Sequence, residues 1–290
     1  MFFKRKRKPP APSATDVIHI VNRFNAANNG SATEALALQR ALSEEREVRL
    51  WAAKPPAEAL LDTHAIEFID VDKGHAPQGG TIVFAGHPPK NVTEWFPKAN
   101  PSRVHFICNF LNTKRLERTL KRLKSWDDIR LIYPSKFVES FSGIPGEVLY
   151  VPVDLSRFSA ASEAAGTRPS ADDFVVGRLS RDEPKKFHSE DPDYYRRLVS
   201  EGCRVRILGG TSVAEQLKDA DGIELLPSGT EDAAAFLRGL SCFTYRTSEA
   251  WAEPWGRVVC EAMACEVPVV CENRGGYSDL IEHGKNGFSF

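Results

Sequence analysis

Apolar residues recur along this chain with two periods. Short β-branched runs, read as strands over 17–21, 47–52, 65–71, 81–86, 104–108 and 130–133, alternate with stretches whose apolar positions return every three or four residues. Helices are expected over 32–45, carried by Leu36, Leu38 and Leu42, and over 112–126, where Leu116, Leu120 and Leu123 form a stripe between basic residues. Beyond Gly146 a strand-like run covers 148–153. A segment rich in Ala, Ser, Gly and Thr then fills 159–173 and reads as an exposed linker. The alternation restarts with strands over 174–176, 205–208, 223–226, 242–245 and 267–271. Helices are expected over 193–201, 212–219, 232–240 and about 256–265. Strands separated by single helices imply βαβ units and parallel sheets. The chain therefore reads as two successive α/β domains, 15–158 and 174–290, the second shortened. In such sheets ligands lie outside the carboxyl ends of the strands, so the chemistry is expected in a cleft between the two domains.

Composition narrows the function classes. A net charge of -1 argues against nucleic acid as partner. Residues 1–14 form a basic tail in which Lys4 to Lys8 are all cationic and no apolar run follows. The segment reads as a solubilising tail or a tether to anionic headgroups and not as a secretory signal. The six cysteines form no Cys-x-x-Cys pair, so reduced thiols are expected and no metal site. The basic 114–124 helix has two readings, a sheet-packing helix with a solvated face or a contact with a membrane surface.

The densest chemistry lies in Glu253-Pro-Trp-Gly-Arg-Val-Val-Cys-Glu261, where two glutamates are separated by seven residues. Pro254 and Gly256 mark a helix start, so Glu253 precedes the helix and Glu261 lies on it. The helix rises about 7.5 Å between Gly256 and Glu261. Its first amides, from Gly256, Arg257 and Val258, form a ready anion site. A diphosphate placed there puts a ribose near Glu261 and a sugar near Glu253; a carboxylate suits a diol. Upstream, Asn28-Asn-Gly30 precedes Ser31-x-x-Glu34, a capping-box pattern that sets Gly30 at another helix N-terminus.

Glu253 to Val270, followed by Asn273-Arg-Gly-Gly276, resembles the donor-site signature of family-four retaining glycosyltransferases: E-x7-E, Glu-Ala-Met-Ala, a Pro-Val-Val strand and a Gly-Gly turn. Val176-Gly-Arg-Leu-Ser-Arg-Asp-Glu-Pro-Lys-Lys186 resembles the family's donor-phosphate loop, and Val151 to Phe158 its interdomain stretch. The resemblance implies a GT-B fold of two Rossmann-like domains. It implies transfer of a hexose, with retention and without metal or cofactor, from a UDP- or GDP-sugar to a carbohydrate or lipid-linked acceptor. The setting implied is polysaccharide synthesis in the cytoplasm, at the inner face of the membrane if the basic segments bind it. By the same resemblance Arg178 and either Lys185 or Lys186 hold the diphosphate, with Arg181 a third candidate. Glu261 takes the ribose, Glu253 the sugar, and Trp255, Gly256, Arg257 and Val258 supply main-chain donors. Gly30 lies close to donor or acceptor. Where the family often carries a histidine after the 104–108 strand, this chain has Asn109, which hydrogen-bonds but carries no proton; His87 is the nearest substitute. A nucleotide-sugar epimerase, or a silent nucleotide-sugar-binding protein, are the rival readings.

Overall fold

The computed structural model describes residues 17–25, 30–124, 128–160, 168–170 and 172–290. The basic tail and most of the expected linker lie outside them. The chain divides into two compact units, one ending at Pro152 and the other starting at Val153.

The first unit holds seven parallel strands: β1 (Ile18–Asn22), β2 (Val48–Ala52), β3 (Ile66–Phe68), β4 (Thr81–Ala85), β5 (Arg103–Ile107), β6 (Ile129–Tyr133) and β7 (Glu147–Val148). Their order is β3-β2-β1-β4-β5-β6-β7. Ile82 and Phe84 face one core with Trp95, Phe96 and Phe106, while Val83 and Ala85 face another with Ile20, Leu50 and Ala35. Strands buried on both faces read as continuous apolar runs, and for that reason these were visible in the sequence.

The second unit repeats the plan with six strands: β8 (Val175–Leu179), β9 (Arg204–Leu208), β10 (Ile223–Leu226), β11 (Cys242–Tyr245), β12 (Val269–Cys271) and β13 (Phe288–Ser289). Their order is β10-β9-β8-β11-β12-β13. In each sheet the chain winds outward to one side, then returns to the middle and winds to the other. The reversal falls between β1 and β4 in the first unit and between β8 and β11 in the second. Crevices at the carboxyl ends of such strand pairs are where open α/β sheets bind ligands.

Several expectations need correction. The strand expected over 148–153 survives only as Glu147–Val148. Val153 and Phe158, assigned by sequence to the first domain, pack in the second unit's core beside Phe236 and Val259. The 112–126 helix is Thr113–Arg122; Asn112 precedes it, and its side chain accepts a hydrogen bond from the Arg115 amide at 2.8 Å. That cap fixes the start one residue later than periodicity suggests. In place of a helix over 212–219 stand a 3₁₀ turn, Thr211–Val213, and a short helix, Ala214–Leu217. The Ser212 amide donates to Asp182 at 2.6 Å, a cap from a distant loop. The helix Gly30–Ser43 already contains Ser31, so Ser31 does not stand before it as the capping-box pattern requires. The helix Lys136–Ser142, capped by Ser135 and closed by Gly143 at φ 68°, was not expected. All six cysteines are free thiols. No described helix is long and apolar enough to cross a membrane.

Candidate active site

The second unit's switch point brings two distant segments together. One starts with Arg178 near the end of β8 and runs on through Arg181, Lys185 and Lys186. The other follows β11 and leads through Glu253 into the helix Arg257–Ala264.

Their meeting point is an ion pair. Lys186 Nζ lies 2.6 Å from Glu253 Oε2. The Tyr245 hydroxyl, at the end of β11, donates to the same oxygen at 2.9 Å. Lys186 is 5 % exposed, and its ammonium sits 4.0 Å from the centroid of the Trp251 ring. Burial lowers the Lys186 pKa and Glu253 opposes that shift. Both protein donors use Oε2, which leaves Glu253 Oε1 without a protein partner among the described residues.

Arg178 lies beneath this pair. It is 1 % exposed, and its guanidinium sits 4.6 Å from the ring centroid of Phe187 and 4.7 Å from that of Tyr245. Nη1 donates to the Arg246 carbonyl at 2.7 Å and Nη2 to the Lys186 carbonyl. The sequence reading put Arg178 against a diphosphate. Each terminal nitrogen holds a main-chain carbonyl of one of the two site loops. Lys185 and Arg181 are half exposed and both pair with Glu183, at 3.0 and 2.7 Å. Of the two candidate lysines, the fold therefore brings Lys186 to Glu253 and leaves Lys185 at the rim.

Gly256 caps the Arg257–Ala264 helix at φ 78°. A Cβ there would lie 2.4 Å from Tyr277 Cδ1. Only glycine satisfies both the left-handed backbone and the close approach. Trp255 is buried, and Val258 packs against the core. On the next turn Glu261 is 5 % exposed, and its pKa is raised by burial against the pull of Arg257 and Arg157. Arg257 Nε stands 2.9 Å from Glu261 Oε1, but its N–H is not directed at the oxygen, so the contact is one of charge. At the loop's other side the Gly276 amide donates to the Glu253 carbonyl at 2.8 Å, and a Cβ on Gly275 would lie 2.9 Å from that oxygen. Glu272 gathers the Thr247 amide at 2.8 Å and the Tyr277 hydroxyl at 2.7 Å.

Tyr245, Trp251, Glu272 and Tyr277 were not singled out in the sequence. Tyr245 had a signal, a polar tip at a strand's carboxyl end. The others are placed by contacts that no local pattern encodes. In the first unit Gly30 is exposed at the start of its helix, and Asn109 Nδ2 donates to Glu34 Oε2 at 2.7 Å. Among the described residues no group of three or more His, Cys, Asp or Glu side chains is arranged to hold a metal ion.

Fold and site together define a two-unit parallel α/β protein with a cation, a carboxylate and a helix start at a switch point, where open α/β sheets bind ligands. Residues 170–290 match the family described as glycosyl transferases group 1. Spore coat protein SA of Bacillus subtilis (strain 168) is 51% identical over 41 residues, 14% of this chain and 11% of that protein. The capsular polysaccharide biosynthesis glycosyltransferase CapM of Staphylococcus aureus is 29% identical over 126 residues, 40% of this chain and 32% of that protein. The chain thus spans about a third or less of the length of these curated relatives. HepE of Anabaena, solved with UDP and glucose, superposes with a TM-score of 0.69 at 16% identity, covering 94% of this chain and 85% of that one. The catalytic domain of starch synthase IV from Arabidopsis thaliana, bound to ADP and acarbose, gives 0.69 at 12% identity over 96% and 88%. The two structural likenesses are of fold, and that fold is GT-B.

Proposed function

We propose that the chain is a glycosyltransferase that moves a hexose from a UDP- or GDP-sugar to a carbohydrate or lipid-linked acceptor, with retention and without a metal ion. The observation that carries this reading is the buried Lys186–Glu253 pair beside the start of the Arg257–Ala264 helix. Glu253 Oε1 is open to a hydroxyl of the transferred sugar, and Glu261 lies about one turn into the helix for the ribose. Lys186 has further N–H donors for the diphosphate, aided by the helix amides. Arg178 acts as a positioning residue, tying the Lys186 and Arg246 carbonyls together so that lysine and glutamate meet.

In the reaction the bond between the sugar's anomeric carbon and the diphosphate oxygen breaks, and that carbon bonds the acceptor oxygen. The acceptor proton passes to the departing phosphate. Negative charge grows on the leaving diphosphate, where a fixed ammonium and helix amides stabilise it. Two donors on Oε2 reduce the nucleophilicity of Glu253, which favours same-face attack by the acceptor over a glycosyl-enzyme intermediate. The basic face of Thr113–Arg122 and the Lys4–Lys8 run favour work beside an anionic membrane surface in the cytoplasm.

The test is calorimetric titration with UDP-glucose, GDP-mannose and ADP-glucose, with and without a chelator, on wild type and Glu261→Ala. One donor should bind, indifferent to chelator and weakened by the substitution. Binding by none of them would refute the reading. Turnover only with an acceptor excludes an epimerase, and the anomer seen by NMR decides retention.

A further inference from the structure

The first unit has its own switch point, and its charges are arranged differently from those of the second. Arg23 follows β1 directly, and His87 lies just past the end of β4, the strand paired with β1 across the reversal. The helix Thr113–Arg122, which follows β5, adds three more arginines. Arg115 Nε stands 3.4 Å from His87 Nδ1, as does the Thr119 hydroxyl. Arginine can only donate, so Nδ1 accepts and the ring proton sits on Nε2, where it is available as a donor. The Arg115 guanidinium lies 4.8 Å from the Phe110 ring centroid, which holds it beside the histidine. Arg122 Nη2 donates to the carbonyls of Pro89 and Lys90, at 2.5 and 2.7 Å, and clamps the turn that carries His87. Arg118 stands one turn beyond Arg115 on the same helix, its Nε donating to the Lys114 carbonyl at 3.2 Å.

Among the described residues none of Arg23, Arg115, Arg118 and Arg122 pairs with a carboxylate. The second unit shows the opposite habit: Lys186, Lys185, Arg181, Arg246, Arg257 and Arg274 each have an acidic partner. Glu34, the acid on the neighbouring helix, is buried and receives Asn109. Burial and the four arginines push the His87 pKa down to about 4, so the ring is neutral near pH 7 and serves as a hydrogen-bond donor. A merely solvated basic face spreads its charges into water. Here Arg115 is part-buried and stands against a part-buried ring at a strand end, where its charge is screened less than that of the exposed Arg118. Such a set is stabilised by an anion with several acceptor oxygens, which guanidinium groups match in geometry.

We propose that Arg23, His87, Arg115 and Arg118 form a phosphoryl-binding site at the first unit's switch point, and that it holds a phosphate or diphosphate ester carried by the acceptor. The word acceptor rests on the glycosyltransferase reading; the anion site does not. The phosphoryl group belongs to a soluble sugar phosphate or to a lipid-linked one, and both present the same chemistry.

The experiment titrates inorganic pyrophosphate into the full chain held in saturating UDP, comparing wild type with the double variant Arg115→Ser/Arg118→Ser. Wild type should bind despite UDP, and the double variant at least about tenfold more weakly, with UDP affinity unchanged. Arg23→Ser, an exposed change, should weaken binding too and covers the case of a misfolded double variant. Complete displacement of pyrophosphate by UDP, or unchanged binding in both variants, would overturn the proposal. Failure of wild type to bind UDP or any nucleotide sugar would instead overturn the donor reading, and the pyrophosphate titration would still judge this site. Co-sedimentation with phosphatidylcholine vesicles only when they contain a polyprenyl phosphate supports a lipid-linked source. Pyrophosphate binding with no such co-sedimentation supports a soluble one.

Discussion

Replacing Lys186 by methionine keeps most of the side chain's volume and removes its charge, so it isolates the ion pair at the heart of the candidate site. At the observed 2.6 Å, an effective dielectric of about 20 gives a gross attraction of about 6 kcal/mol. Most of that offsets the cost of desolvating two groups whose side chains are only 6% and 16% exposed. Removing one partner of a buried pair costs about 3–5 kcal/mol; the partial exposure of Glu253 places Lys186→Met at about 3 kcal/mol. Glu253→Gln leaves the ammonium over the Trp251 ring alone, and its pKa, already lowered by burial, falls further. With both changed, neither charge is stranded, and the double variant should be more stable than the sum of the single losses by about 2 kcal/mol. Urea unfolding of the four proteins measures this coupling. The same proteins, titrated with the nucleotide sugar that binds wild type, should show affinity lost in all three variants. A coupling below about 0.5 kcal/mol, the ordinary value for independent sites, would show that the pair does not organise the site.

Three further outcomes follow from the geometry. Gly256→Ala forces a side chain into the left-handed region against Tyr277, so it should cost at least about 1–2 kcal/mol in thermal unfolding and weaken donor binding; a neutral effect would mean the helix start is not rigid. The raised pKa of Glu261 means that folding favours its protonated form. Its contribution to stability is present below the ordinary carboxylate value and lost as pH rises through the raised one. Donor affinity, which uses the ionised form, should instead weaken as pH falls through that range and lose this dependence in Glu261→Gln. His87 should titrate by NMR near 4. Its stabilising contribution is full above the ordinary value of about 6.5 and lost as pH falls from there toward 4; a midpoint at 6.5 would contradict the arginine cluster.

The sequence alone determined the succession of strands and helices, the presence of two parallel α/β units, and the glutamate pair at a helix start. These features are local. A strand buried on both faces must be apolar throughout, and a helix start is marked within a few residues by Pro254 and Gly256. Tertiary structure decided which of those residues meet. Strand order places the loop after β8 beside the loop after β11, so Lys186 reaches Glu253 across 67 positions of sequence while its neighbour Lys185 turns to Glu183. The same packing encloses Arg178 between the rings of Phe187 and Tyr245. In the first unit it brings Arg115 of one helix against His87 at a strand end, with no carboxylate paired to that arginine among the described residues. Charge counted along the chain averages to nearly nothing, and only the positions of the charges in space distinguish a paired cation from one without a carboxylate partner.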